Sequence, residues 1–576
     1  MNRGLLLIVI FCFAGITAYA QFSELIKNSQ VHGSFQFDGA YYTVDNSIGF
    51  TEEEWIQGQP FRFNGYGNIT YTLGNFSAGI RYEAYLPPLL GYEADLEGQG
   101  ISNYWASYTT EKFSFTIGTF YEQFGNGLTL RAYEEWMLGY DNAINGARVT
   151  YEPVRGLLLK AVYGTQRNYW VRYSKDSRQG IVKGFDAELD FNQVFTKMAE
   201  SKFRLAIGGS VVSKYQSDWS TIYHTPRNVS NIAGRITMGA GKFILNAEYA
   251  YKINDPSSIN DFIYKEGQGL MLSLTYSTKG FGFYGMFKRY DNMSYKSDAS
   301  VLTNALDINF LPPNTETHTY MLTAMYPYAT QPNGELGFQL QINYKVPKKS
   351  KLGGKYGMGI AVNYSQVNDI VRNPVELPGT DETAIGESGS LGWSSPFFEF
   401  GDRIFWQDLS IEIDKKFNKK FKADLTYMYQ TYDIDVLEGH FEDFPTIYSN
   451  IAVLEMTYKF TSKQALRWEL QGLWTMKNFD ADQPDTHLNR GDWAAILLEY
   501  TISPNWFFTV SDQYNYGHPE KDKQIHYYTA SFGYTHRTTR IAFTYGRQRE
   551  GIVCVGGICR AVPASNGFSV TISSSF

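Results

Sequence analysis

Cysteine is nearly missing from this chain of 576 residues: it has 3, too few to staple a fold of this size. Long apolar runs are missing as well. After one segment at the start, no stretch of about 20 apolar residues occurs, which excludes a polytopic helical membrane protein. Mean hydropathy is −0.32. Basic charge is not in surplus either, with 51 Lys+Arg against 58 Asp+Glu. Phosphate binding needs a basic face, so nucleic acid is not an expected partner. Composition shows no break that would divide the chain, although a single soluble core rarely exceeds about 250–300 residues. What is present is aromatic side chain (Tyr 44, Phe 40) and Gly 53. Such a content argues against wholesale disorder. A large, aromatic-rich, moderately polar chain of this kind suggests a transmembrane β-barrel.

Residues 1–20 read as a secretory signal peptide. Arg3 is the basic region, Leu5 to Ile16 the apolar region, and Ala18-Tyr19-Ala20 a small-x-small cleavage site before Gln21. A membrane-spanning helix would need a longer apolar run. Cys12 lies within the leader and the residue just after the cleavage site is Gln21 rather than cysteine, so a lipoprotein is not expected. Residues 21–576 then form one barrel domain, with 50 basic against 58 acidic residues once Arg3 is removed.

The body alternates with period two. In 464–477, Leu466, Trp468, Leu470, Trp474 and Met476 share one parity, and Arg467, Glu469, Gln471, Thr475 and Lys477 the other, with Leu473 as the exception. Successive strand side chains point to opposite faces, so one face is apolar and one charged. The same pattern returns at 242–252, 335–346, 421–431 and 448–460. A β-sandwich or propeller alternates too, but its strands average about 5–6 residues, whereas a tilted membrane strand needs about 9–11.

Connection lengths alternate between short and long along the chain, as in outer-membrane barrels with short periplasmic turns and long extracellular loops. Eleven short and twelve long links predict about 24 antiparallel strands, an even number, with both ends on the periplasmic side. The least regular stretch is 291–334, where Met321 to Tyr328 allows an extra strand or hairpin. Phe568, Val570, Ile572 and Phe576 share one parity at the end of the chain and resemble the C-terminal signal that barrel-insertion machinery reads. Trp493, Tyr500, Trp506, Tyr514 and Tyr516 suit interfacial girdles, or ordinary sheet packing.

Two cysteines remain in the mature chain, in Val-Cys-Val-Gly-Gly-Ile-Cys-Arg at 553–560. With Gly556-Gly557 as a two-residue turn, Cys554 faces Cys559, within disulfide reach in the last outer loop. Two cysteines without a nearby His make only half a metal ligand set. Acidic clusters mark two outer loops: Asp433, Asp435, Glu438, Glu442 and Asp443, then Asp480, Asp482 and Asp485. Compact oxygen ligands suit Ca²⁺, and the same residues suit a solvated loop. No H-E-x-x-H spacing links the eight histidines, and Gly386-Glu387-Ser388-Gly389-Ser390 misses the nucleophile-elbow pattern. No enzyme activity, cofactor or metal is expected.

Barrels of 16–18 strands leave a water channel, and wider ones are plugged. Only about ten residues precede the first strand near Val31, so an N-terminal plug of the TonB-dependent type, or the periplasmic repeats of an insertase, does not fit. Loops 121–143, 291–334 and 366–403 are long enough to fold inward. The first carries Glu122, Arg131, Glu134 and Glu135 among Tyr121, Phe124, Tyr133 and Trp136. That mixture suits a constriction salt-bridged to a lumen wall bearing Arg62, Arg81, Glu83, Arg467 and Glu469, and equally an ordered outer loop.

Tyr121 to Trp136 (YEQFGNGLTLRAYEEW) with Gly139 to Ala143, Met325 to Glu335 (MYPYATQPNGE) and Leu352 to Gly357 (LGGKYG) resemble an uncharacterised family of Bacteroidota outer-membrane β-barrels. The resemblance implies the fold and the outer-membrane location, and it lends no ligand residues. Two functions follow as expectations. One is a channel for a small polar solute, its lumen partly closed by inward loops. The other is a non-catalytic structural subunit of a larger outer-membrane assembly for secretion, insertion or uptake. Lipid, the insertion machinery and an outer-membrane protein are the expected partners.

Overall fold

The computed structural model describes residues 29–171, 179–217, 220–375, 388–439, 444, 446–476 and 491–576. Residues 1–20, read above as a leader, Glu442, Asp443 and the cluster at Asp480, Asp482 and Asp485 lie outside them. The chain forms one 24-stranded antiparallel sheet in which sequential strands pair. Gln30–Tyr42 and Ser565–Ser575 pair with each other and close the ring. The strands run from 8 residues in Phe113–Phe120 to 17 in Phe400–Lys416, as alternation over long segments predicts.

The barrel is built inside out relative to a soluble protein. Ile69, Ile117 and Ile232 are at least half exposed on the outer wall, whereas Glu83, Asp186 and Glu248 are buried on the inner one. Apolar side chains facing outward need lipid around them. The seam has its own packing. Phe576 exchanges backbone hydrogen bonds with Gly33 (2.9 and 3.0 Å). Its ring covers Gly33 so closely that a Cβ there would lie 2.2 Å from a ring carbon. Phe568 stacks on Tyr545 at 4.5 Å, so the apolar parity of the last strand is outward.

One rim carries short turns, the longest of which hold two single-turn helices, Phe191–Val194 and Thr196–Ala199. The other rim carries the long connections. Three expectations change here. Met321 to Tyr328 is neither strand nor hairpin; it coils into the bore, because its apolar side chains meet an apolar patch there. Trp493 belongs to that patch, fully buried, rather than to a girdle. Loop 366–403 is shorter than expected, since its flanking strands extend to Ile370 and from Phe400. Its described part lies on the outer wall, where Phe397 and Phe398 pack on the outward rings of Tyr249 and Phe287.

The patch explains Leu473. Leu322, Met325, Tyr326 and Tyr328 of loop 292–334 form a core with inward-facing Val367, Trp406, Met428, Ile451, Val453, Leu473 and Trp493. Apolar residues on the inner parity are thus the wall's half of an internal core. A second core joins Phe124, Leu130, Tyr295 and Ile308 to Val162, Val182, Val212 and Val229.

Candidate functional site

The site is the bore and the loops that enter it. Loop 121–143 folds into two short hairpins, Glu122–Phe124 with Leu130–Ala132 and Glu134–Glu135 with Tyr140–Asp141. Wall groups meet it at many points. Arg81 makes a two-armed contact with Glu134, its Nη2 donating at 2.9 Å. Lys160 Nζ donates to Glu122 at 2.8 Å, with Arg148 3.7 Å away. The Asn126 backbone N–H and side chain both donate to buried Glu248 at 2.8 Å. Asn231 holds the Leu128 carbonyl at 2.9 Å. Trp136 sits edge-on to Tyr66 at 4.3 Å and donates to Asp38. Arg167, beyond the end of its strand, clasps Glu83 (2.6 Å) and Asp141 (2.6 Å). Buried ion pairs count for little unless geometry and hydrogen bonds are good; here the carboxylates keep several donors each.

Loop 292–334 enters from the opposite arc. The backbone N–H of Leu322 donates to Gln471 at 3.0 Å, and Gln430 donates to the Tyr326 carbonyl at 2.7 Å. Tyr320 donates to Glu455 at 3.2 Å. Lys288 and Glu335, both fully buried, pair at 2.6 Å, and the Tyr328 hydroxyl bonds both. His318 meets Asp408 at 2.9 Å. Burial opposes the charged imidazole, but the carboxylates of Asp408, Glu316 and Glu412 outweigh it and hold its pKa above the ordinary value. The two loops interlock. Arg131 lies between the rings of Tyr133 (4.2 Å) and Phe310 (4.0 Å), and its N–H donates to the Ile308 carbonyl at 2.9 Å. Asn142 donates to the Asp307 carbonyl at 2.7 Å.

A third element caps them. The strands Gly551–Val555 and Ile558–Val562 form a hairpin with Cys554 opposite Cys559, joined by a disulfide. Gly556 and Gly557 have φ 59° and 82°, the doubly positive turn that favours glycine at both positions. The hairpin is pinned to loop 292–334 by Asn304, which donates to the Cys559 carbonyl at 2.7 Å, and by the Thr330 N–H on Gly557 at 3.1 Å. Between these loops lies a cavity of about 300 Å³, lined by Tyr85, Tyr92, Trp136, Tyr140 and two arginines, Arg167 and Arg560. Closing so short a loop contributes about 2–3 kcal/mol at most. Replacing both cysteines by serine is expected to leave the barrel folded and to loosen only the hairpin. Non-reducing peptide mass spectrometry should find the linked pair in the parent protein; free thiols there would refute it.

The sequence candidates divide. Arg81, Glu83, Glu122 and Glu134 meet at the wall–loop contact, while Arg131 pairs with rings rather than with an acid. Glu135 accepts from its own Met137 N–H at 3.3 Å. Arg62 is at the outer rim, donating to the Trp55 carbonyl at 2.8 Å. Arg467 bonds Glu455 (3.1 Å) and Glu469 (2.5 Å), while Glu469 also accepts from the Gln471 side chain that holds the Leu322 N–H. Of the first acidic cluster, Asp433 and Asp435 face Arg403 at 2.5 and 3.3 Å, so a side-chain cation already serves them. Sequence reasoning missed Lys160, Arg167, Glu248, Lys288 and Glu335. The inward parity of Lys160, Glu248, Lys288 and Glu335 was readable, but their partners sit on other strands or loops; Arg167 lies past the end of its strand on the outward parity and turns in.

Solved structures similar to this chain are barrels. The P pilus usher PapC translocation pore has TM-score 0.43 and 9% identity, covering 95% of this chain and 99% of its own. The siderophore receptor PirA from Pseudomonas aeruginosa has TM-score 0.39 and 8% identity, covering 95% and 80%. OccK11 (OpdR), also from Pseudomonas aeruginosa, has TM-score 0.29 and 6% identity, covering 96% of each chain. No curated protein matches. With an outward apolar wall, a polar bore and loops seated inside it, the chain belongs to DUF6029, a family of unknown function, whose description it matches over residues 1–576.

Proposed function

We propose that this protein is an outer-membrane transport barrel for a small polar solute, closed at rest by its own loops. The observation that carries the reading is the interlock of loops 121–143 and 292–334 across the bore. Ion pairs and a small apolar core hold one loop to the wall, and a larger apolar core holds the other. A 24-stranded ring without such filling would pass small solutes freely. The lower bore, with Arg467, Glu455, Glu469 and Glu499 in one cluster, offers ionised groups of both signs to a polar cargo. A leader cleaved after Ala20 would export the chain, the last strand would be read by insertion machinery, and the resemblance suggests the Bacteroidota envelope. No catalytic role is proposed.

A second reading is favoured by the apolar core itself. A bore filled to this extent also suits a barrel that opens only when another outer-membrane protein draws a loop out. The test is planar-bilayer conductance of the folded barrel, with a heat-modifiable gel shift as folding control. For the channel reading, removal of 121–143 is expected to raise conductance several-fold. Unchanged conductance in the folded variant would overturn that loop's role. A silent parent barrel that co-purifies at equal stoichiometry with one protein would support the second reading.

A further inference from the structure

The geometry points to a divalent transition-metal site, built from Glu316 and His318 of loop 292–334 and Asp408 of the wall, that ties the loop to the barrel. One ligand atom from each residue lies within 4.8 Å of the other two. The tightest approach, His318 Nε2 to Asp408 Oδ2, is 2.9 Å. Two ligands bonded to one ion at about 2.0–2.2 Å stand about 2.9–3.5 Å apart, so the His318–Asp408 pair is spaced as neighbours on one ion.

The second observation is charge. Asp408 is fully buried and His318 nearly so. Glu412 lies on the same inward face of the strand as Asp408, two residues beyond the Ser410 that donates to Glu316. Among the described residues, no lysine or arginine forms an ion pair with Glu316, Asp408 or Glu412, and His318 is the one cationic group that does. Two carboxylates on a single imidazole, with a third on the same face of the wall, leave net negative charge around the fully buried Asp408, which a bound cation would compensate. The other close carboxylate group, Glu83, Glu134 and Asp141, is different, because Arg81 and Arg167 already neutralise it.

Neighbours hold the ligands as an outer shell does in metal sites. Asn363 Nδ2 donates to both Asp408 oxygens at 3.1 Å. Ser410 donates to Glu316 at 2.9 Å, and Gln341 donates to its other oxygen at 3.3 Å. One imidazole with carboxylate oxygens suits Zn²⁺ or Mn²⁺ better than Ca²⁺, which takes oxygen ligands alone. The histidine and the first glutamate are separated from Asp408 by some 90 positions in sequence, so no local spacing motif announces the set.

The inference stands apart from the transport reading, since metal content is measured without conductance. The full-length folded barrel would be stripped with chelator, equilibrated with micromolar Zn²⁺, desalted and assayed by mass spectrometry, with Co²⁺ absorption as a second readout. The parent should retain about one ion per chain and give a visible Co²⁺ band. His318→Gln and Asp408→Asn, each shown folded by heat-modifiable mobility, should bind at least tenfold more weakly, while Glu520→Gln, on an exposed loop, should not. A parent that retains no Zn²⁺, or equal retention in folded His318→Gln, would leave a plain His–Asp ion pair and overturn the proposal.

Discussion

Excising residues 314–328 and bridging the gap with two glycines is expected to turn a poorly conducting barrel into one with steady, large steps. The cut is local. Thr330 Oγ lies 3.4 Å from the Leu311 carbonyl it bonds, so the neck of the excursion is already closed and the bridge spans a short distance. What leaves is the inward tip, with Tyr320, Leu322, Met325, Tyr326 and Tyr328. What remains is an empty arc lined by Val367, Trp406, Met428, Ile451 and Leu473. Water enters that arc, and since barrels of 16–18 strands already leave an aqueous channel, conductance should rise by about tenfold or more. The effect should exceed that of removing 121–143, which empties the smaller core around Phe124 and Leu130 but leaves the larger one around Trp406 and Leu473 intact. Single-channel recording of the folded variant reads it directly. An unchanged trace would mean that the tip does not obstruct the bore.

The second large effect is expected at Lys288. Both members of the Lys288–Glu335 pair are fully buried, 2.6 Å apart. Glu335 also accepts the Gln331 N–H at 2.9 Å, and Lys288 also donates to Tyr328. Lys288→Ala leaves a buried carboxylate without its counter-charge, at a cost of about 3–5 kcal/mol. Because Tyr328 and Gln331 belong to the inward loop, the cost should fall on that loop before the wall. Limited proteolysis within 292–334 should become fast while heat-modifiable mobility persists. The double variant Lys288→Met with Glu335→Gln removes both charges together and should recover most of the loss. If the single and double variants are cleaved equally fast, the pair is not what seats the loop.

The wall was readable from sequence because period-two alternation and alternating connection length report the same object independently. The count of about 24 strands came from the connection lengths alone, and the ring has 24. The bore was only half readable. Parity tells which face Arg81 or Glu469 occupies, but it carries no information about what lies across the lumen. Glu122 and Glu134 looked like constriction residues by composition, yet Lys160 and Arg167 could not be matched to the loop without the fold. Leu473 broke the pattern and looked like noise; it is the wall's contribution to an internal core. Trp493 followed the aromatic rule for girdles and faces inward for the same reason. Loop 366–403 was long enough to enter the bore, but length does not choose a side. Its Phe397 and Phe398 found an apolar outer wall at Tyr249 and Phe287, with Arg289 stacked on Phe397 at 4.7 Å.

The seating of loop 292–334 also fixes an order in time. Its tip is synthesised before Val367, Trp406, Ile451, Leu473 and Trp493, the side chains that receive it. Neighbouring strands can pair as soon as each hairpin exists, but the tip has nowhere to go until nearly the whole ring is made. Until then Leu322, Met325 and Tyr326 travel as an unsheltered apolar segment. Non-local contacts of this kind are slow to form and prone to aggregation while they wait. The segment that fills the finished bore is therefore one that a chaperone would have to shelter before the barrel exists.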